Sequence, residues 1–258
     1  MPDVLQLWGL ASGPQAGVYN MALDELLLEH LRTLDSPTLV IRTYTWQQPT
    51  LSLGVHQPGR DLPLLRERHP IPRWDWVRRP TGGRAIAHGE DIAFSFVTND
   101  PALLRLSLTD SYCHFTLFLK TALTQLGIAL LESCEDNTRA YTRSSLCFET
   151  HTPSDLLDAQ GHKIAGSAQL RRSSGILQHG SAFVKAHPIS EPQLAAALFT
   201  AASQHYNTPL QPLPEDASFW KHLPELTRRY QREASSLVQS SLDKTPTRSG
   251  SHLEPASF

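Results

Sequence analysis

The sequence predicts a mixed α/β (α+β) domain in which helices pack on a largely antiparallel sheet. Leucines recur at helical spacing through residues 20–34, and a β-rich stretch at 155–184 contains two turn signals that are typical of antiparallel hairpins. A chain of 258 residues is long enough to bury a full core. The absence of an internal repeat or a linker predicts one domain over residues 1–235. The last segment, 236–258, lacks a packing pattern and is expected to be disordered.

The first half of the chain is predicted to contain two helices and several strands. Asn20 belongs to a residue type that caps helices, so NMALDELLLEHLRTL is predicted to be a helix that begins there. Residues 38–46 and 50–57 are rich in β-branched and aromatic residues and are predicted strands. A second helix is predicted over about 109–126, with Gly127 suited to its C-terminal end.

The second half begins with an antiparallel meander and continues with helices. Turn residues at 160–161 and 174–175 separate three β-rich runs. Ser190 and Gln193 are spaced as a capping box at the start of QLAAALFTAASQHY, which is therefore a predicted helix. A last helix is predicted over about 224–234, with proline acceptable in its first turn.

Composition excludes several classes of function. A formal charge of −2 gives no electrostatic reason to expect a nucleic acid or a membrane as partner. The start of the chain lacks the pattern of a signal peptide, and no apolar run approaches the roughly 20 residues that span a bilayer. The three cysteines, Cys113, Cys134 and Cys147, have no disulfide-scaffold or metal-ligand spacing, and the twelve histidines form no ligand array. We therefore expect a cytoplasmic protein without a metal site.

The stretch RRPTGGRA, residues 78–85 and hereafter the glycine loop, combines conformational freedom with positive charge. Pro80 fixes one backbone angle, whereas Gly82 and Gly83 permit conformations that other residues avoid and let a ligand approach the main chain. Three arginines surround the bend: Arg78, Arg79 and Arg84. Such a loop suits a phosphate-bearing group, or it is a hairpin turn with solvated arginines. It matches neither a Walker loop nor a dinucleotide fingerprint.

Five segments occur in a distinctive order: NMALDELLL, WQQPTLSLGVHQ, RRPTGGRAIAH, GHKIAGSAQ and ILQHGSAFV. Together they cover roughly residues 17–184, and in this order they resemble the biotin/lipoate protein ligase and transferase superfamily. The resemblance implies a catalytic domain like those of class II aminoacyl-tRNA synthetases and biotin ligases, with an acyl pocket between the sheet and the glycine loop.

The pairs Cys147-Phe148 and Pro153-Ser154, upstream of KIAGSAQ, resemble the cysteine-dependent branch of octanoyl-[acyl-carrier-protein]:protein N-octanoyltransferases. This resemblance implies transfer of an octanoyl group from acyl carrier protein, through a thioester on Cys147, to a lysine of a lipoyl domain. The acceptor would belong to a 2-oxoacid dehydrogenase or to the glycine cleavage H protein. The reaction requires no nucleotide or other cofactor, and we expect a monomer.

The same resemblance implies that Cys147 and Lys163 are the catalytic residues. A thiol has a pKa near 8.5, and a lysine ammonium a few ångströms away lowers that pKa and favours the thiolate. The alternative is a buried, inert thiol beside a solvated lysine. Cys113 and Cys134 are expected to be structural.

The loop and the following β-rich run supply the expected substrate-binding residues: Arg78, Arg79, Thr81, Gly82, Gly83, Arg84, Ala85, His88, Gly166, Ser167 and Ala168. Main-chain amides near 82–84 or 166–168 are candidate donors to an oxyanion. His88 either lines the acyl pocket or is a packing residue. For His179 we favour a structural role over proton transfer.

Three other functions remain open. An ATP-dependent lipoate–protein ligase would use Lys163 and the glycine loop to hold an acyl-adenylate, with Cys147 incidental. An amidotransferase would move octanoyl between lipoyl proteins. A non-catalytic module would bind lipoyl or carrier domains without turnover. The cysteine in the CF…PS segment favours the octanoyltransferase over all three.

Overall fold

A computed structural model describes residues 5–58, 74–131, 154–184, 187–215 and 217–242. The strands are β1 Gln6–Gln15, β2 Thr38–Trp46, β3 Thr50–Leu53, β4 Asp75–Arg78, β5 Ile86–His88, β6 Ile92–Thr98, β7 Leu156–Leu157, β8 Lys163–Arg172, β9 Gly175–Ala182 and β10 Leu210–Pro212. The helices are α1 Gly17–Leu31, α2 Pro101–Leu104, α3 Leu108–Gln125, α4 Glu191–Tyr206, α5 Ala217–Trp220 and α6 Leu223–Leu242.

Seven strands form the main sheet in the order β10-β1-β2-β6-β9-β8-β7. β1 pairs in parallel with β10 and with β2, and the remaining neighbours pair antiparallel. A small sheet has the order β4-β3-β5, with β3 parallel to β4 and antiparallel to β5. The prediction of a largely antiparallel sheet with packed helices is therefore confirmed.

Helices cover both faces of the main sheet. Successive residues of a strand point to opposite faces, so Leu39 and Ile41 join the apolar cluster under α3 and α4, and Val40 joins the one under α1 and α6. On β6, Phe96 and Val97 divide in the same way. Because both faces are covered, β2 and β6 are buried along almost their whole length rather than at alternate residues.

Asn20 is not the helix cap that the sequence predicted. α1 begins at Gly17 with Ala16 as its N-cap, and the Asn20 side chain is fully buried. Its amide nitrogen lies 3.4 Å from the carbonyl of Thr45, and its oxygen accepts a hydrogen bond from Arg42. A residue distant in sequence therefore determines the role of Asn20.

The other predicted elements agree with the structure to different extents. β2, the hairpin of β8 and β9, and the Ser190–Gln193 capping box are confirmed. α3 also lies where predicted, and Gly127 after it has a φ of +86°. β3 ends at Leu53 rather than at residue 57. α6 runs to Leu242, so residues 236–242 are helical instead of belonging to a tail.

Candidate functional site

The glycine loop connects β4 to β5 and faces β8 and β9 of the main sheet across a narrow cavity. The cavity lining includes Met21, Trp46, Ile86 and six of the predicted substrate-binding residues: Arg79, Gly83, His88, Gly166, Ser167 and Ala168. The other five lie elsewhere in the loop, and one of them, Ala85, is part of the apolar core of the small sheet. The structure thus brings the two predicted halves of the site together.

Arg79 stabilises the glycine loop from inside. Its side chain is buried, and its Nη2 donates hydrogen bonds to the carbonyls of Gly82 at 2.8 Å and Arg84 at 2.7 Å. Its Nη1 donates to the carbonyl of Ser52 on β3 at 3.0 Å. Arg79 is therefore not the solvated arginine of the hairpin-turn alternative, because its guanidinium shapes the main chain of the loop.

The glycine loop approaches the end of β3 through two glycines. A Cβ on Gly54 would lie 2.0 Å from the carbonyl oxygen of Gly83, and Gly83 has a φ of +90°. Arg78 donates to the carbonyls of Gly54 and Gln57 at 2.7 and 2.8 Å. Gly82 has no positive φ, and a Cβ there would meet open space. The predicted need for conformational freedom is therefore confirmed at Gly83 and wrong at Gly82.

A chain of buried polar groups, hereafter the long chain, joins the glycine loop to α1 through His179 on β9. Thr81 Oγ1 lies 2.7 Å from His179 Nε2, and His179 Nδ1 lies 3.0 Å from Asp24 Oδ2. Burial lowers the pKa of His179 although Asp24 opposes that shift, so the imidazole is neutral near pH 7. Nδ1–H therefore donates to the carboxylate, and Nε2 accepts the Thr81 hydroxyl proton.

Asp24 at the end of the long chain is ionised. Burial alone would raise its pKa, but the Arg42 guanidinium and His179 lower the pKa by more than burial raises it, so the net pKa is below the usual value. Arg42 Nη1 lies 2.7 Å from Asp24 Oδ1, and both side chains have no solvent exposure. Ser95 and Tyr44 donate further hydrogen bonds to the carboxylate at 2.9 and 3.2 Å.

A second chain of the same residue types, hereafter the short chain, also borders the cavity. His88 Nε2 lies 2.8 Å from Ser52 Oγ, and His88 Nδ1 lies 2.8 Å from Asp91 Oδ2. Trp46 donates its indole N–H to Asp91 at 3.2 Å, and its ring stacks on His88. Burial would raise the pKa of Asp91, but His88 and further hydrogen-bond donors lower it more. His88 thus lines the cavity as a hydrogen-bonded group.

Lys163, the predicted catalytic lysine, is the first residue of β8 and is buried. Its Nζ lies 2.8 Å from Asp155 Oδ2, and the two side chains are 6% and 4% exposed. The alternative of a solvated lysine is therefore wrong. Cys147 and Cys134 lie outside the described residues, so the pairing of Cys147 with Lys163 remains a prediction.

Two glycines keep β8 and β9 close beside Lys163. A Cβ on Gly166 would lie 2.6 Å from Lys163 Cε and 2.7 Å from Asp155 Oδ1. A Cβ on Gly180 would lie 2.1 Å from the carbonyl oxygen of Gly166 and 2.7 Å from the Phe94 ring. Gly180 thus lets the two strands pack closely, and the wall of the cavity here is main chain.

Three acidic residues of the site were not predicted from the sequence: Asp24, Asp91 and Asp155. Asp24 stands among leucines on the buried face of α1, and Asp91 directly precedes the buried strand β6. A carboxylate in such an apolar run needs a buried partner, which was the available signal. Among the described residues, no group of three His, Cys, Asp or Glu is arranged to hold a metal ion.

Comparison with known proteins assigns the family. The lipoyl protein ligase A/B catalytic domain matches residues 16–207. The chain belongs to this family. It is 36% identical over 179 residues to the octanoyltransferase LipM of Halalkalibacterium halodurans, covering 66% of this chain and 63% of that relative. It is 34% identical over 193 residues to LipM of Kyrpidia tusciae, covering 71% and 68%. The match thus spans less than two thirds of the first relative.

A solved lipoate protein ligase has the same fold. The bipartite lipoate protein ligase of Thermoplasma acidophilum, studied with its E2 lipoyl domain, aligns with a TM-score of 0.68 and 17% identity. The alignment covers 94% of this chain and 100% of that one. The ligase-like catalytic fold that the five ordered segments implied is therefore confirmed. No helix in the described ranges has the length and apolar character needed to cross a membrane.

Proposed function

We propose that this protein transfers an octanoyl group from acyl carrier protein to a lysine of a lipoyl domain through a thioester on Cys147. The observation that carries the proposal is the buried Lys163, whose ammonium lies against Gly166 in the wall of the cavity under the glycine loop. A buried ion pair adds little to stability on balance, which favours a chemical role for this one. Relatives named octanoyltransferase support the reaction.

The reaction consists of two substitutions at the acyl carbon, the first by a thiolate and the second by an amine. The Cys147 thiolate attacks the carrier thioester and displaces the carrier thiolate, which takes up a proton. The amine of the lipoyl-domain lysine then attacks the enzyme thioester, loses a proton and releases the Cys147 thiolate. The first step exchanges one thioester for another, the second forms a more stable amide, and neither consumes a nucleotide. Dividing the transfer in this way is covalent catalysis.

The glycine loop and β8 surround the acyl carbon in this proposal. Each step forms a tetrahedral oxyanion that needs positioned donors, and we assign these to main-chain amides at 82–84 or 166–168. Lys163 supplies a positive charge that favours the thiolate of Cys147. Arg79 and the long chain fix the loop so that the amides keep one orientation.

The acyl chain enters the narrow cavity between the glycine loop and β8–β9. The cavity holds about 50 Å³, which is below the roughly 300 Å³ of sites that enclose a whole ligand. Lining side chains therefore move apart on binding. Met21 is suited to this because it is unbranched and adapts to irregular spaces. Each methylene that the cavity buries contributes about 0.8 kcal/mol.

The acceptor class rests on the family. A related ligase has been studied with an E2 lipoyl domain, so we propose a lipoyl domain of a 2-oxoacid dehydrogenase or the glycine cleavage H protein as acceptor. We also propose a cytoplasmic location, because a thioester-forming cysteine has to be reduced in order to react. Cys113, which was expected to be a structural cysteine outside any disulfide scaffold, is disulfide-bonded in the structure.

Intact-protein mass spectrometry after mixing the protein with octanoyl-carrier protein, without ATP, tests the function. We expect a gain of one octanoyl group that hydroxylamine removes and that Cys147→Ala abolishes. Cys134→Ala, a control at a cysteine predicted to be structural, should retain the gain. Addition of a lipoyl domain should then discharge the enzyme and acylate the acceptor.

A lipoate–protein ligase is the second candidate, and the similarity to a solved lipoate ligase favours it. In that case the protein would form no octanoyl adduct from the carrier. A lipoyl domain would be modified only when free acid and ATP are both supplied. This result would replace the transferase proposal.

A further inference from the structure

We propose that Asp155 is a positioning residue that holds Lys163 in the orientation its reaction requires. This inference rests on the proposed function. Asp155 Oδ2 lies 2.8 Å from Lys163 Nζ, and the two side chains are 4% and 6% exposed. At that distance the carboxylate accepts a charge-assisted hydrogen bond, which is both shorter and stronger than a neutral one. The ammonium is thereby fixed in direction.

A register shift in the β7–β8 pair brings the two groups to one place. Leu156 pairs with Ala165, but Leu157 pairs with Lys163, so one residue of β8 is extra. In a regular strand, positions 163 and 166 would point to opposite faces because they are three residues apart. A bulge of one residue changes that alternation and redirects side chains. Lys163 therefore folds back over Gly166.

Gly166 provides the space for the ion pair. A Cβ at this position would lie 2.6 Å from Lys163 Cε, 2.8 Å from Lys163 Nζ and 2.7 Å from Asp155 Oδ1. Any larger residue would displace the pair. The glycine, the bulge and the carboxylate thus act together to place one ammonium beside the cavity wall that Gly166 lines.

Removing a carboxylate and an ammonium from water costs free energy, so a gain in stability does not explain why this pair is buried. Replacing a buried ion pair with apolar residues is often neutral or stabilising. The pair is located where the family resemblance places the reacting lysine. We therefore assign Asp155 to orientation of Lys163 and not to contact with the substrate.

The test is the single-turnover rate of acyl-enzyme formation, measured as a function of the octanoyl-carrier concentration. Asp155→Asn keeps the shape of the side chain and removes its charge. We expect the maximal rate to fall roughly 10- to 100-fold, with the half-saturating carrier concentration unchanged. Asp158→Asn is the matched control in the same hairpin, because an asparagine oxygen still accepts the turn hydrogen bonds of Gln160 and His162. Its rate should equal that of the wild type.

A wild-type rate in Asp155→Asn overturns the assignment and leaves the proposed function intact. If the variant does not fold, Gly166→Ala tests the same geometry by displacing the pair sterically, and it should show the same loss of maximal rate. An unchanged rate in that variant also overturns the assignment.

A second readout separates this inference from the proposed function. Modification of Lys163 by an amine-selective acetylating reagent is followed by peptide mass spectrometry. We expect protection in the wild type and faster modification in Asp155→Asn, even if the wild type forms no thioester. Equal modification of both proteins overturns the positioning role.

Discussion

The two buried chains that border the cavity contain the same kinds of groups but differ in how far apart their residues lie in sequence and in what pairs with their carboxylates. The long chain joins Thr81, His179 and Asp24, and its histidine and carboxylate are 155 residues apart in sequence. The short chain joins Ser52, His88 and Asp91, with the histidine and carboxylate three residues apart. The long chain therefore ties the glycine loop to the main sheet and α1.

The charge of each carboxylate is balanced differently. Asp24 is paired with the Arg42 guanidinium, which is itself fully buried. Asp91 faces the imidazole of His88 and accepts hydrogen bonds from the Trp46 indole and the Gly89 main-chain amide. Removing the first carboxylate leaves the buried Arg42 guanidinium without its anion, whereas removing the second leaves an imidazole, an indole and a main-chain amide without their acceptor. We therefore expect the two carboxylates to contribute differently to the free energy of unfolding.

The largest expected effect comes from neutralising the carboxylates one at a time. Asp24→Asn should destabilise the protein by about 3–5 kcal/mol because Arg42 stays buried without its partner. Asp91→Asn should cost about 1–3 kcal/mol, because the hydrogen bonds of His88, Trp46 and Gly89 to this side chain become weaker. Urea unfolding at pH 7 measures both values. Asp35→Asn, at an exposed position, serves as the control and should change stability little.

Similar losses for Asp24→Asn and Asp91→Asn would contradict this difference. They would mean that other groups compensate the charge of Arg42 when Asp24 is neutral. The long chain would then contribute no more to the free energy of unfolding than the short chain.

A smaller effect is expected where the long chain enters the glycine loop. Thr81→Val has nearly the same shape as the wild type but leaves His179 Nε2 without its donor, so we expect a loss of about 1–3 kcal/mol. Thr81→Ser keeps the hydroxyl and should lose much less. Unfolding free energies of the two variants give the comparison, and equal losses would show that the methyl group contributes as much as the hydroxyl.

The pH dependence of stability sharpens the comparison further. The folded pKa of His179 is below the ordinary value of 6.5 because burial disfavours the imidazolium. The free energy of unfolding therefore carries no penalty from His179 above pH 6.5. It decreases as the pH falls below 6.5, because the unfolded chain takes up the proton more readily than the folded chain. One such group changes the unfolding free energy by at most about 1.4 kcal/mol per pH unit.

His114, which is hydrogen-bonded to Tyr206 between α3 and α4, acts in the same direction. Burial lowers its pKa to about 4. Denaturant unfolding between pH 7 and 5 should show stability falling with pH, and His114→Gln should reduce that slope without removing it. A slope of zero in this variant would assign the whole effect to His114 and none to the long chain.

Local pattern predicted the elements that local interactions determine. β2, α3 and the β8–β9 hairpin lie where periodicity and turn residues placed them. β1 and β10 were not identified because their parallel pairing depends on residues about 200 positions apart. The cap predicted at Asn20 was wrong for a related reason: Arg42, on another element, binds its side chain.

The site was predictable to the extent that glycine and family pattern determine it. Gly83 has a left-handed conformation, and Gly180 lies so close to Gly166 that a side chain would not fit. Glycine is the residue that tolerates both situations. The burial of Lys163 was not predictable, because it depends on a bulge and on Asp155 across the hairpin. The role of Cys147 stays a prediction from resemblance.

The separation between Asp24 and His179 has a consequence for the growing chain during translation. Asp24 and Arg42 are made before the histidine that completes their surroundings, which follows Asp24 by 155 residues. At 5–20 residues per second this interval is on the order of 10–30 s. During these seconds the nascent chain contains Asp24 and Arg42 without His179, so this charged pair stays exposed to solvent and to chaperones.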